Sequence, residues 1–564
     1  MKFDQIPYQR PDIEAVTSAF NSALEQFSNA ASPGTALQCF EQINQLRTGF
    51  ASAQSLCHIR HTINTADAFF DQENQFFDEQ SPGMEALNNS FYRALLHSPH
   101  RDAIEAKWGK QLFNIAELSL KTFDPVMLSD MQEENRLSSE YTKTLASAKI
   151  EVDGKVYNLS SIRALETSSD RDTRKRALQA KWAFLEAQSE KIEQIYHQQV
   201  AVRHRMAQKL GFPNFVPLGY ARMLRSDYDA AAVARFREEV LQYIVPIATQ
   251  LFERQRKRLG LERLHYYDLD FRYPSGNPKP KGEPDWIIRQ AEQMYSELSP
   301  ETKEFFRFMQ QNQLMDLVSK PGKAPGGYCT YIGEYKAPFI FSNFNGTSGD
   351  IDVLTHEAGH AFQVYSSREL GISEYNWPTY EACEIHSMSM EFFTWPWMQL
   401  FFGADVDKYK FAHLSEALLF MPYGVAIDEF QHFVYENPEI TTAERNEGWR
   451  AIERKYLPHR RYDDIPFLEK GGFWIKQSHL FGMPFYYIDY VLAQVCALQF
   501  WHRSLQDRTN AWNDYLQLCR KGGSQSFLDL VQLAGLKNPF QPGCLQEVAQ
   551  TARQWLEAIN DQEF

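Results

Sequence analysis

The chain has 564 residues, 43% of them hydrophobic and 23% charged, which is globular composition and enough length for more than one lobe. A formal net charge of -14 argues against nucleic acid as the partner, since that role needs clustered cation. No segment is apolar over the length of a signal peptide or a membrane span, so no membrane partner is expected and the expected location is cytoplasmic.

Residues 12–145 read as successive amphipathic helices, with breaks predicted at Ser32-Pro33-Gly34, at Ser81-Pro82-Gly83 and around Pro99. Next, Ile150 and Val152 alternate up to Asp153-Gly154, and Val156 follows, which predicts a hairpin within residues 149–159. A long helix is expected from about Ser169, with Leu178, Trp182, Leu185, Ile192 and Tyr196 at helical spacing, ending at Gly211 and Pro213. The proline-rich stretch RYPSGNPKPKGEP (272–284) reads as a loop. Between Gly322 and Gly349, glycine-rich turns alternate with β-prone runs such as Phe339-Ile340-Phe341; helices then resume and dominate. The expected fold is therefore mainly α, with one small β patch before residue 350. Seven cysteines without CxxC pairing argue against a disulfide framework and against a thiolate metal site.

The segment VLTHEAGHAF (353–362) places His356 and His360 four apart, nearly on one face of a helix, with Glu357 beside the first. Two imidazoles so placed suit one Zn²⁺ and leave Glu357 to work on water. A chance HExxH is expected only about 0.02 times in a chain of this composition, so the competing reading, two hydrogen-bonded core histidines, carries less weight. A third protein ligand is still required. Downstream, YEACEIHSMSMEFF offers Glu381, Glu384 and Glu391, spaced by three and seven on one helical face. Burying a carboxylate on so apolar a helix is costly unless a cation meets it, and capping or solvent exposure is the alternative. His386 falls about 200° round the helix from Glu384 and is left out of the ligand set.

His356-Glu357-x-x-His360 followed by Glu384-x-x-Ser387-Met388-x-x-Glu391 resembles the thimet oligopeptidase and oligoendopeptidase F family of zinc peptidases. The likeness extends to GFPNFVPLGYARMLRSDYDAAAVARFREEV (211–240) and RQRKRLGLERLHYYDLDF (254–271), which look like the oligoendopeptidase branch. The resemblance implies His356, His360 and Glu384 as ligands of one Zn²⁺ per chain and Glu357 as general base. Glu391 would hold the ligand helix or a histidine ring, and Asp352, one turn before His356, either does likewise or is a simple helix-start charge. It implies a two-lobed, largely helical architecture with a deep channel, divided here into an N-terminal lobe, 1–148, and a catalytic region, 149–564.

SHLFGMPFYYIDYVLAQ (478–494) sets His479 before Tyr486, Tyr487 and Tyr490. Tyr487 and Tyr490 are three apart, so both hydroxyls can point one way; spacing alone equally describes an aromatic core stripe. The resemblance makes the cluster substrate-binding and oxyanion-polarising, with Tyr490 favoured over Tyr487 as carbonyl donor. Ile488-Asp489 departs from the family's polar-aromatic pair. Gly322, Gly326 and Gly327 match a closing loop, and Phe341-Ser342-Asn343 is the expected open strand edge for an extended peptide. The combined expectation is a zinc oligoendopeptidase acting on short peptides. Two rivals are a catalytically dead helical peptide binder, which the intact Glu357 and ligand set oppose, and an iron or manganese carboxylate–histidine protein, which needs Glu-x-x-His on two helices.

Overall fold

The computed structural model describes residues 1–159, 161–320, 322–324 and 326–564 and is mainly helical, with two small sheets. Among these residues no helix is long and apolar enough to cross a membrane. Helix Pro33–Ile63 begins where its residues dictate. The Ser32 hydroxyl accepts from the Thr35 amide, and Pro33 takes the first turn, where its missing N–H costs nothing. Phe40, Ile43, Phe91 and Phe113 build a core for the N-terminal helices, and that core also takes in Ile372 and Tyr375 from far along the chain. Beside it, buried Arg47 pairs with Glu374 at 2.6 Å, and the Tyr92 hydroxyl donates to the same carboxylate at 2.7 Å.

Two predicted boundaries differ. Helix Ala68–Leu96 runs straight through Ser81-Pro82-Gly83. Pro82 has no N–H to give, but the Ser81 hydroxyl donates to the Phe77 carbonyl at 2.6 Å, and both Phe77 and Met84 are buried. Burial on both sides of the proline offsets a lost bond of about 3 kcal/mol. The long helix expected from Ser169 is two, Arg171–Ala187 and Ser189–Lys209. The hairpin forms as read: β1 (Ile150–Val152) pairs antiparallel with β2 (Lys155–Tyr157), and Asp153 and Gly154 turn the corner with φ of 51° and 76°.

The second sheet contains β3 (Met315–Val318), β4 (Tyr328–Ile332) and β5 (Ala337–Phe344) in the order β3-β5-β4. Phe341-Ser342-Asn343 is therefore not the open edge. It lies in the central strand, where Phe341 is flanked by Asp316 of β3 and Tyr328 of β4. The Ser342 carbonyl accepts from Lys323 at 2.5 Å, and the Asn343 amide donates to the carbonyls of Ala324 and Gly326 at 2.9 and 2.8 Å. Among the described residues the outer strands β3 and β4 are each paired with β5 alone, so each leaves one ladder free. Immediately after β5, the Asp350 carboxylate accepts from the amides of Asn345 and Gly346, both at 2.8 Å, fixing the angle at which helix Gly349–Ser367 leaves the sheet.

Candidate active site

Helix Gly349–Ser367 buries Leu354, Ala358, Ala361 and Phe362 and turns His356, Glu357 and His360 the other way. Its partner is helix Tyr380–Phe393, and Gly359 is what lets the two approach. A methyl there would stand 2.6 Å from the His386 carbonyl oxygen and 2.6 Å from the Ser387 Cα, so backbone packs on backbone. That closeness brings Glu384 to the histidines. Its Oε2 lies 3.3 Å from His356 Nε2 and 3.5 Å from His360 Nε2, and ligand atoms of all three residues fall within 4.8 Å of one another.

The surroundings orient each group. His356 Nδ1 lies 2.7 Å from Glu391 Oε1, which directs the proton to Nδ1 and leaves the Nε2 lone pair facing Glu384. The other Glu391 oxygen lies 2.8 Å from His413 Nε2, and the Trp395 indole donates to His413 Nδ1 at 3.3 Å. Glu384 Oε2 accepts from the Ser387 hydroxyl at 2.9 Å, and Glu384 Oε1 from the Tyr486 hydroxyl. Burial pushes Glu384 up, but the His360 and His356 rings outweigh it and hold the carboxyl well below the usual carboxylate range. Burial raises Glu357, against the pull of the two rings, and its Oε2 has no hydrogen-bond partner among the described residues.

Asp352 does not reach either ligand ring. One turn before His356, its Oδ1 accepts from Tyr409 at 2.6 Å, and burial pushes its carboxyl up to about 7. A shift of four residues along the helix keeps the face but moves the side chain about 6 Å along the axis. Glu381 is turned away from the triad and sits fully buried near Arg225 and Asp489, and neither oxygen has a side-chain partner among the described residues. His386 is buried, with Nδ1 at 2.7 Å from the Ala382 carbonyl and its pKa pushed down to about 4, chiefly by burial.

His479 and the three tyrosines form a cluster that reaches the triad through the Tyr486 bond to Glu384. The Gln477 amide donates to His479 Nδ1 at 2.8 Å, while Gln477 Oε1 accepts from Tyr423 at 2.7 Å. Nδ1 is thereby the acceptor, so the neutral ring carries its hydrogen on Nε2, and burial lowers its pKa further. The His479 ring centre lies 5.8, 5.0 and 6.0 Å from those of Tyr486, Tyr487 and Tyr490. Burial raises the phenols of Tyr487 and Tyr490 alike, but their charged neighbours differ: Arg460 for Tyr487, Glu384 and Glu357 for Tyr490. Asp489 points away from these rings and accepts from Arg225 at 2.6 Å. Arg225 also donates to the Phe485 carbonyl at 2.6 Å, and the Phe485 amide donates to Gln431 at 2.6 Å. These bonds hold Phe485 at φ 69°, a strained position directly before the cluster. His413, Tyr409, Gln477 and Arg225 were not singled out from sequence. A histidine within the apolar run KFAHLSEALLF was the available signal for His413.

A profile described as Peptidase family M3 matches residues 164–550, and one described as the Peptidase M3 N-terminal domain matches residues 3–123. A solved structure of PZ peptidase A with an inhibitor is 58% identical, covers 100% of each chain and superposes with a TM-score of 0.96. An oligoendopeptidase F homolog of Borreliella burgdorferi is 24% identical over 314 residues, covering 53% of this chain and 51% of that protein. The chromosomal oligoendopeptidase F of Lactococcus lactis subsp. cremoris is 24% identical over 390 residues, covering 66% of this chain and 61% of that protein. The matched stretches thus span only about half to three-fifths of these curated relatives. With the M3 profile matched over more than half its length, the chain belongs to peptidase family M3, a family of metallopeptidases.

Proposed function

We propose that this chain is a zinc-dependent oligoendopeptidase that hydrolyses internal bonds of short, unstructured peptides. The observation that supports this best is the convergence of His356, His360 and Glu384 within 4.8 Å, beside a Glu357 oxygen that has no hydrogen-bond partner among the described residues. Two imidazoles and one carboxylate, with His356 and Glu384 already oriented by hydrogen bonds with Glu391, Ser387 and Tyr486, suit a single catalytic Zn²⁺ with an open position. Zinc bound there supplies the Lewis acidity that makes water nucleophilic near neutral pH. Glu357 takes the proton from the attacking water and hands it to the leaving amine; the raised proton affinity from burial serves the first half of that transfer. His479 donates from Nε2 to the developing oxyanion, Tyr490 is the second donor, and Tyr487 backs them. Tyr486, expected on the substrate, is assigned instead to hold Glu384, where its hydroxyl lies.

The peptide is proposed to enter extended and to add to the free ladder of β4, in place of the Phe341–Asn343 segment. Gly327, just before β4, favours this register: a methyl there would lie 3.6 Å from Glu357 Oε1, so the strand start adjoins the general base. We assign binding and access to a helical lobe at 1–148 and chemistry to 149–564, with the cytoplasm as the working compartment. The test combines metal analysis with a length series sharing one scissile sequence, beside the same sequence displayed on a folded domain's loop. Zinc at one per chain and cleavage of peptides of about 5–20 residues, with the folded display resistant, is the expected outcome. Absence of cleavage by zinc-loaded protein would reject the activity; equal kcat/KM for loop and free peptide would reject only restricted access.

A further inference from the structure

A cavity of about 430 Å³ opens beside the tyrosine cluster. Phe420 and Tyr423 are part of its wall, and their rings lie 5.5 and 5.7 Å from that of Tyr487; His356, His360 and Glu384 do not line it. Tyr423 is also the residue that orients Gln477 and, through it, His479. The cavity thus lies behind the oxyanion-donor side of the candidate site, with Phe420 and Tyr423 as the shared wall.

Four long-chain cations line this cavity, and three are neutralised. Lys181 pairs with Glu166 at 2.7 Å, Arg272 with Glu416 at 2.6 Å and Arg460 with Glu453 at 3.2 Å. The fourth, Lys476, has no carboxylate within ion-pair distance among the described residues. Its ammonium lies 4.1 Å from the Phe473 ring centre and 5.9 Å from that of Trp182, and its side chain is exposed into the cavity. Burial within the cavity wall, then Lys181 and Arg460, lower its pKa, against the opposite pull of Asp270, which lines the same cavity, and of Glu166. Of the four cations lining the cavity it is the one without a carboxylate at ion-pair distance among the described residues, and an incoming carboxylate would find there a cation free to make a charge-assisted hydrogen bond.

We propose that Lys476 is a specificity-determining residue that anchors a carboxylate group of the bound peptide in this cavity, a subsite that rests on the peptidase reading above. The chemistry is shared by two sources, the free C-terminal carboxylate and an acidic side chain near the C-terminal end of the substrate. Lys476 makes no contact with the reacting bond and acts on affinity and position.

The test uses the zinc-loaded full chain, wild type, Lys476→Met and Lys476→Arg, with reduced-amide analogues of one cleavable peptide for binding by calorimetry and the parent peptides for kcat/KM. One arm compares a free C-terminal carboxylate with a C-terminal amide; a second keeps the amide and compares Glu with Gln at successive positions. Wild type should bind the carboxylate member about tenfold tighter in at least one arm. Lys476→Met should reduce that preference to less than about twofold, and Lys476→Arg should retain most of it, showing that the fold is intact. Preference in the first arm assigns the C-terminus, and preference in the second assigns a side chain. An undiminished preference in Lys476→Met, or none in wild type in either arm, overturns the proposal. Cleavage of parent peptides without any preference sinks the subsite and leaves the peptidase reading. A Lys476-dependent binding preference without cleavage does the reverse.

Discussion

Gly359→Ala should damage the metal site without touching a ligand. The added methyl would meet the His386 carbonyl oxygen and the Ser387 Cα at 2.6 Å and the Met390 Cβ at 3.0 Å. Ordinary contact begins at 3.4 Å, so the two helices must part by about 0.8 Å (3.4 less 2.6), and the closest obstacles are backbone that cannot rotate aside. Metal–ligand distances tolerate only about 0.2 Å, and Gly359 adjoins His360 while Ser387 lies one turn from Glu384, so the ligands absorb the separation. Overpacking of this kind costs about 1–3 kcal/mol. An unfolding entropy near 2.1 cal/mol/K per residue gives roughly 1.2 kcal/mol/K for a chain of this length, so Tm of the metal-free protein should fall by about 1–3 °C. Zinc affinity, read by competition with a chromophoric chelator, should fall about 10–100-fold. Gly83→Ala is the control, since nothing lies within 4 Å of the added methyl. If Gly359→Ala kept both the wild-type Tm and the wild-type zinc affinity, the argument from helix contact would be wrong.

Glu357→Gln should retain zinc and lose about 10²–10⁴ in turnover; a zinc-loaded variant at the wild-type rate would remove Glu357 from proton transfer. Glu384→Ala should lose zinc severely, whereas Glu381→Ala should leave zinc affinity nearly unchanged, because Glu381 lies away from the triad near Arg225 and Asp489. The reverse order in a zinc titration would reassign the third ligand. Tyr490→Phe should lower kcat by about 10²–10³ with zinc content unchanged, and Tyr487→Phe should do less. A larger loss in Tyr487→Phe would hand it the donor role.

What was legible in the sequence lay within single helices. HEAGH and Glu384-x-x-Ser387 each declare themselves through spacing that one helix converts into a shared face, whereas the tyrosines after His479 needed the family resemblance to stand out from a core stripe. What was not legible depended on contacts between distant segments. His413 braces Glu391 from another helix, and nothing in its neighbours distinguishes it from a core histidine. The strand edge was misplaced, although the uninterrupted apolar run Phe339-Ile340-Phe341 is typical of a strand covered on both sides, while the mixed Tyr328-Cys329-Thr330 suits an edge. Pro82 was read as a breaker because local rules cannot weigh the burial of Phe77 and Met84 around it. The departure at Ile488-Asp489 became intelligible only with Arg225 in place, since Asp489 braces the back of the cluster.

The ion pair between Arg47 and Glu374 also bears on the order in which the protein is made. Glu374 lies in the short link between the helix that carries the two histidines and the helix that carries Glu384. The N-terminal helices leave the ribosome hundreds of residues earlier, with Arg47 destined for burial and its counter-charge not yet synthesised. Tyr92 alone can meet the Arg47 guanidinium at that stage; a buried cation without its counter-charge costs several kcal/mol, and Ile372 and Tyr375 are missing from the same core. The N-terminal core is therefore complete only once residues 372–375 are in place. The two family profiles match separate stretches, 3–123 and 164–550, yet the core of the N-terminal helices draws residues from both.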